Sequence, residues 1–197
     1  MNTMLLRKSV LGVAGVAFAA GVVGGPVAAT VDSPAGAATP VSSVVQAEKP
    51  DAGKLMPHGV QGAQSRIPLD AEQTANVKAI VEATKKAGMD ERAAVVAIAT
   101  SLQESKLENL GHLGDRNDHD SQGLFQQRPS SGWGTVEQIT DPQYSTTAFL
   151  KGLKQVDGWQ DMPLTEAAQT VQVSAYPDHY AQWEKQAADL VTEHWTS

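Results

Sequence analysis

No cysteine occurs in these 197 residues. Neither a disulfide framework nor a lipid-modified cysteine is available, so a folded domain must stand on its hydrophobic core alone. Basic charge is also scarce: 15 Lys and Arg face 22 Asp and Glu, a formal net charge of -7. A chain of that sign has no electrostatic hold on nucleic acid or on an anionic membrane surface, and neither is expected as a partner. The apolar run from Ser9 to Val23 falls short of the ~20 residues that a membrane-spanning helix needs. Internal repeats are lacking too.

What is present near the N-terminus has the layout of a signal peptide: Arg7 and Lys8, the small-residue apolar run, then Gly24-Gly25-Pro26. Val27-Ala28-Ala29 offers the small residues that a signal peptidase reads, and Gly36-Ala37-Ala38 is a second candidate. Residues 1–29 are therefore expected to be a signal peptide, with a retained membrane anchor as the alternative. The product is expected to be secreted, extracellular or in the cell wall, with no stable membrane association once the signal is removed. Cleavage removes Arg7 and Lys8, leaving 13 basic against 22 acidic residues, a net of -9. Residues 30–64 are rich in Ala, Pro, Gly, Val and Ser without helical or alternating period, the composition of a flexible, disordered linker. Residues 65–197 are expected to form one domain.

Beyond Pro68 the pattern is helical. Asp70 is the expected N-cap of a helix through Val77, Ile80 and Val81 to Ala87, closed by Gly88. Asp90 caps a second helix, continuing to about Leu107. Residues 108–121 are loop chemistry, and residues 123–127 suit a short strand or hairpin. Asp141-Pro142 begins another helix, with Tyr144, Phe149, Leu150 and Leu153 behind it. A helix from near Thr165 must end by Tyr176, because Pro177 disfavours helical geometry in the residue before it. Asp178 restarts the chain in a last helix with Tyr180, Trp183, Ala187, Leu190 and Val191 on one side, and Trp159, Trp183 and Trp195 read as core.

The chemistry is expected at Glu104. From Ala93 to Leu102 only Thr100 and Ser101 are polar, so this helix should be buried on most sides. Glu104 shares a face with Ala93, Ala97 and Thr100 and leans toward the interior. Desolvation and the negative end of the helix dipole both disfavour its ionised form, which is the setting of a general acid. Cleaving a glycosidic bond needs such an acid for the leaving oxygen and usually a second group opposite, for which Asp115, Asp118 and Asp120 are candidates.

Gln103-Glu104-Ser105, Gly114-Asp115-Arg116, Gly123-Leu124-Phe125-Gln126 and Ser174-Ala175-Tyr176 stand in that order along the chain. Together they resemble the signature of lytic transglycosylases and goose-type lysozymes, over roughly residues 90–180. The resemblance implies a mainly α, lysozyme-like fold of the transglycosylase (SLT-like) kind with a small β-hairpin. It implies Glu104 as catalytic acid, Ser105 as the neighbour that helps fix the carboxylate, and Gly123 and Gln126 as the floor of a glycan groove. Tyr176 matches the family tyrosine near the acid, and Asp115 the goose-type aspartate. Peptidoglycan glycan strands are then the partner, cut at the bond between N-acetylmuramic acid and N-acetylglucosamine by a monomer without cofactor or metal. A lytic transglycosylase would use Glu104 as acid and then as base, closing an anhydro ring. A hydrolase would add Asp115. Where the family continues from tyrosine to Asn-Ala-Gly, this chain has Pro177-Asp178-His179, and Phe125 replaces a methionine. A non-catalytic wall-binding or inhibitory protein of the same fold is the alternative.

Two further readings concern the loop. Asp118, Asp120, Gln122 and Gly123 imitate the start of a calcium loop, but its twelfth position is Pro129 instead of a bidentate glutamate. His112 and His119 beside these acids suggest a transition metal as another option, and solvated loop residues are the third. Trp133, between Gly132 and Gly134, is expected either as a platform for a sugar face or folded over the core.

Overall fold

A computed structural model describes residues 49–174 and 176–196. The expected signal peptide and the first part of the expected linker lie outside the described residues. Within them the protein is mainly helical.

The centre is α3 (Glu91–Ser105), capped by the Asp90 carboxylate on the Ala93 amide at 3.1 Å. Every side chain from Arg92 to Leu102 is buried. Its Ala and Val content keeps the helix narrow, so neighbours can approach on all sides, and α2, α5, α6 and α7 all pack on it. α2 (Ala71–Lys86) opens with a capping box between Asp70 and Gln73 and buries Val77, Ile80 and Val81. Each such fully buried aliphatic side chain contributes about 1.5–3 kcal/mol. After a short α4 (Val136–Ile139), α5 (Pro142–Leu153) starts at the expected Asp141 cap and lays Phe149 in a stack on Phe125, with centroids 5.0 Å apart. α6 (Leu164–Gln172) and α7 (Glu184–His194) close the layer, with a 3-10 turn over His179–Trp183 between them. Trp159 and Trp183 are buried, and Trp195 packs partly buried against the core.

Two boundaries differ from expectation, and a third, the end of α6, falls inside the expected limit. α3 stops at Ser105, two residues early, because Lys106 and Leu107 both take left-handed geometry (φ 58° and 65°). α6 stops at Gln172 because Val173 does the same, well before Pro177 acts. The last α-helix starts at Glu184, the chain from His179 being wound more tightly.

The segment expected as a hairpin is a single antiparallel bridge, Gln122 to Gln127, around a tight turn. Gly123 and Gln126 have positive φ, and the Gly123 amide donates to Leu110 O at 2.7 Å instead of extending a ladder. Leu124 and Phe125 are both buried, so the alternation that a half-exposed strand needs is missing.

The folded body also begins before Ser65. α1 (Ala52–Leu55) is capped by Asp51, and Leu55 is 1% exposed in the core. The described part of the expected linker lies as a strap on the domain. His58 Nε2 bonds Asp161 O at 2.6 Å, Gln64 Nε2 donates to Ala181 O at 3.0 Å, and the Ser65 amide donates to Gln182 O at 2.8 Å. One buried leucine and a row of amide bonds have no period, so the composition concealed them.

Beneath the strap lies a buried ion pair. Arg92 Nη1 reaches Glu184 Oε1 at 2.7 Å and Leu55 O at 2.8 Å, and Nη2 reaches Met162 O at 3.1 Å. One guanidinium thus ties α1, α3, α7 and the segment before α6 together.

Candidate functional site

A cleft of about 550 Å³ opens beside the last turn of α3. Glu104 reaches it from that turn, and Asp118, Gln126, Arg128, Trp133 and Tyr176 line it from the loops. The depth of the position follows from how the helix ends. The left-handed Lys106 and Leu107 turn the chain away immediately, so Glu104 sits half-buried at the lip of a buried helix.

Its carboxylate is held by one strong bond: Tyr180 Oη donates to Glu104 Oε1 at 2.6 Å. Burial pushes the Glu104 carboxyl above the ordinary glutamate value, with the Asp118 charge adding to the rise. The Tyr180 hydroxyl, the Gln172 amide and the Lys106 charge pull it back only in part. Tyr180 is 0% exposed, and burial together with the adjacent Glu104 holds its phenol far above the usual tyrosine range, so it stays a donor. Lys106 is the nearby cation, its ammonium pushed down by burial against the pull of Glu104. It serves the end of α3, with Nζ 3.0 Å from Leu102 O and 4.7 Å from the centroid of the Trp183 ring.

The turn at residues 123–126 shapes the wall opposite. A Cβ on Gly123 would lie 2.0 Å from Ile139 O, so only glycine fits at this positive φ. Gln126 follows in the cleft wall, its Nε2 donating to Gly123 O at 3.0 Å. Gln172 Nε2 donates to Phe125 O at 2.8 Å and fastens the end of α6 to the same turn.

The expected residues divide. Glu104, Gln126, Trp133 and Tyr176 come together around the cleft, and Gly123 supports its wall from beneath. Tyr176 is 61% exposed and stacks on His179 with centroids 5.0 Å apart. Trp133 faces the cleft half-buried, between the two arrangements expected of it. Ser105 does not reach the cleft: it is buried, and its Oγ donates to Leu124 O at 2.8 Å, splicing α3 to the turn. Asp115 is exposed on a 3-10 turn (Gly114–Arg116) outside the cleft lining, and Asp118 is the loop acid that lines it. The cause is the path of residues 117–121, where the Asn117 amide donates to His119 O and Ser121 O and folds the loop over with Asp118 forward.

The calcium-like spacing is used otherwise. Asp120 accepts from the Ser130 amide at 2.8 Å, Ser130 Oγ at 2.8 Å and Arg128 Nε at 3.1 Å. Those bonds, the Ser130 amide foremost, hold its carboxyl down at about 2. Among the described residues no three His, Asp or Glu side chains gather as a metal set would.

Sequence reasoning missed Tyr180, read there as part of an apolar helix face, and Gln172 and Arg128 in the walls. For Tyr180 a signal existed: a phenol on a buried face needs a partner, and an unpaired carboxylate was already expected inside. For the two others the sequence carried none. No family model matches the chain, and no curated protein matches it.

Proposed function

We propose that this domain is a secreted, lysozyme-like enzyme that cleaves peptidoglycan glycan strands between N-acetylmuramic acid and N-acetylglucosamine, with Glu104 as general acid and base. The observation that carries the reading is a half-buried carboxyl, fixed by Tyr180 at 2.6 Å and raised in pKa by burial, in a cleft of about 550 Å³. A carboxyl kept protonated by desolvation can hand its proton to a bridging oxygen. Tyr180 then stabilises the carboxylate left behind, while burial keeps that carboxylate more basic than an ordinary glutamate for the second step. Glu104 next draws the proton from the sugar's own hydroxyl as that oxygen attacks the anomeric carbon, closing an anhydro ring, or from a water in a hydrolase. Trp133 and Tyr176 supply flat apolar surface for pyranose faces. Asp115 lies outside the cleft lining, so in a hydrolase the second acid would be Asp118, which lines the cleft with Glu104, and the products decide between the two routes.

The test is digestion of sacculi followed by mass spectrometry of the released muropeptides. Anhydro and reducing ends differ by one water, so the products identify the route. Glu104→Gln is expected to reduce release by about 10²–10⁴-fold while leaving glycan binding in place. A wild-type protein that binds strands and releases nothing from several peptidoglycans would establish the non-catalytic wall-binding alternative, to which the Pro177-Asp178-His179 segment beside Tyr176 lends support.

A further inference from the structure

The cleft holds one feature that acid catalysis does not use. Among the described residues lining it, Arg128 is the single cation, and Glu104 and Asp118 are the acids. Its Nε donates to Asp120 Oδ1 at 3.1 Å, while its terminal nitrogens make no hydrogen bond among the described residues.

The guanidinium is tethered, with the side chain about a third exposed. Asp120 holds it by one edge and is itself held by the amide and hydroxyl of Ser130. The Arg128 carbonyl accepts from the Ser131 amide at 3.0 Å and the Trp133 amide at 3.4 Å, so the same residue starts the turn that carries Trp133. Arg128 is among the residues that line the cleft and its partner Asp120 is not. Two free, coplanar N–H groups are the complement of a carboxylate, which they engage bidentately. Glu104 and Asp118 offer an anion no attraction, so among the described lining residues Arg128 alone can hold an acidic group.

We propose that Arg128 is a specificity-determining residue that reads a carboxylate carried by a substituent of the glycan, and so separates acidic strands from neutral amino-sugar polymers. The proposal rests on the glycan reading above and adds the charge of the preferred strand. On a muramyl strand that carboxylate is either the lactyl acid of a unit without peptide or a carboxyl of an attached peptide stem.

The test is calorimetric titration of the full chain carrying Glu104→Gln, to prevent turnover. The ligands are peptide-free strands with free lactyl carboxylates, strands with intact stems, and the carboxamide form of each. The carboxylate form of one of the two sources is expected to bind about tenfold tighter than its carboxamide at low salt, an advantage that shrinks as salt rises. Whichever source shows the preference is the one read. Adding Arg128→Gln should abolish the preference of carboxylate over carboxamide, and Arg128→Lys should restore part of it. Equal affinity for carboxylate and carboxamide in the parent overturns the proposal, and this comparison needs no Arg128 variant to fold. A preference that survives Arg128→Gln in a protein of unchanged melting temperature overturns it as well. Failure to bind any strand, together with no release by wild type, sinks the glycan reading itself.

Discussion

At Glu104, burial and hydrogen bonding act in opposite directions, and burial wins. The folded carboxyl therefore titrates above the ordinary glutamate value of about 4.5, and the native state binds its proton more tightly than the unfolded chain does. The stability from this group is complete below about 4.5 and is lost as pH rises through the folded value. Relative to Glu104→Gln, wild type is predicted to lose melting temperature over that window, and parallel melting curves at every pH would contradict the desolvated acid. Tyr180→Phe separates the two forces. It removes the bond that favours the charged form, so Glu104 should titrate still higher. Activity that needs the protonated acid then persists to higher pH, and the alkaline limb of the pH-rate profile should move up with it. A limb that stays put or moves down would show that another group sets it. The apolar face leading to Glu104 was plain in the sequence, since charge at the end of a buried helix needs no knowledge of neighbours. The phenol that holds it lies 76 residues along the chain, a pairing only folding creates.

Among the elements, the turn from Gly123 to Gln126 decides where the cleft wall stands. Gly123 must be glycine for two reasons, a φ of +76° and a Cβ position 2.0 Å from Ile139 O. Gly123→Ala is predicted to cost about 2–4 kcal/mol, read by denaturant unfolding, because backbone must move to relieve the contact. A loss below about 0.5 kcal/mol, the size of an ordinary surface substitution, would mean that the turn yields freely. The helices themselves were readable from local rules: Asp70, Asp90 and Asp141 cap where expected because a cap requires only its own next three residues. The expected hairpin was not, because Gly123 spends its amide on Leu110 rather than on a partner strand. Ser105 changed role for the same kind of reason, its hydroxyl going to Leu124 O and away from substrate.

On the scale of the whole molecule, Arg92 is the joint. Its partner Glu184 is 92 residues away, and the side chains are 3% and 2% exposed. Arg92→Ala is predicted to destabilise the protein by about 3–5 kcal/mol, since it strands a buried carboxylate, whereas joint replacement of Arg92 by Met and Glu184 by Leu should cost less, its remaining loss coming from the Leu55 and Met162 carbonyls left without a donor. Removing residues 1–64 should lower the melting temperature relative to a chain beginning at residue 49, because Leu55 leaves the core and its carbonyl leaves Arg92. Equal melting temperatures would return residues 49–64 to the status of a spacer. By itself the sequence determined the helical class, the caps and the half-buried acid at the end of α3, because periodicity, capping and desolvation act over a few residues. Only tertiary structure decided that the strap belongs to the body, that Asp118 and not Asp115 lines the cleft, that Tyr180 holds Glu104 from within, and that Arg128 shares its cleft. Those outcomes depend on which distant side chains satisfy each other's buried polar groups, and no local pattern encodes that choice.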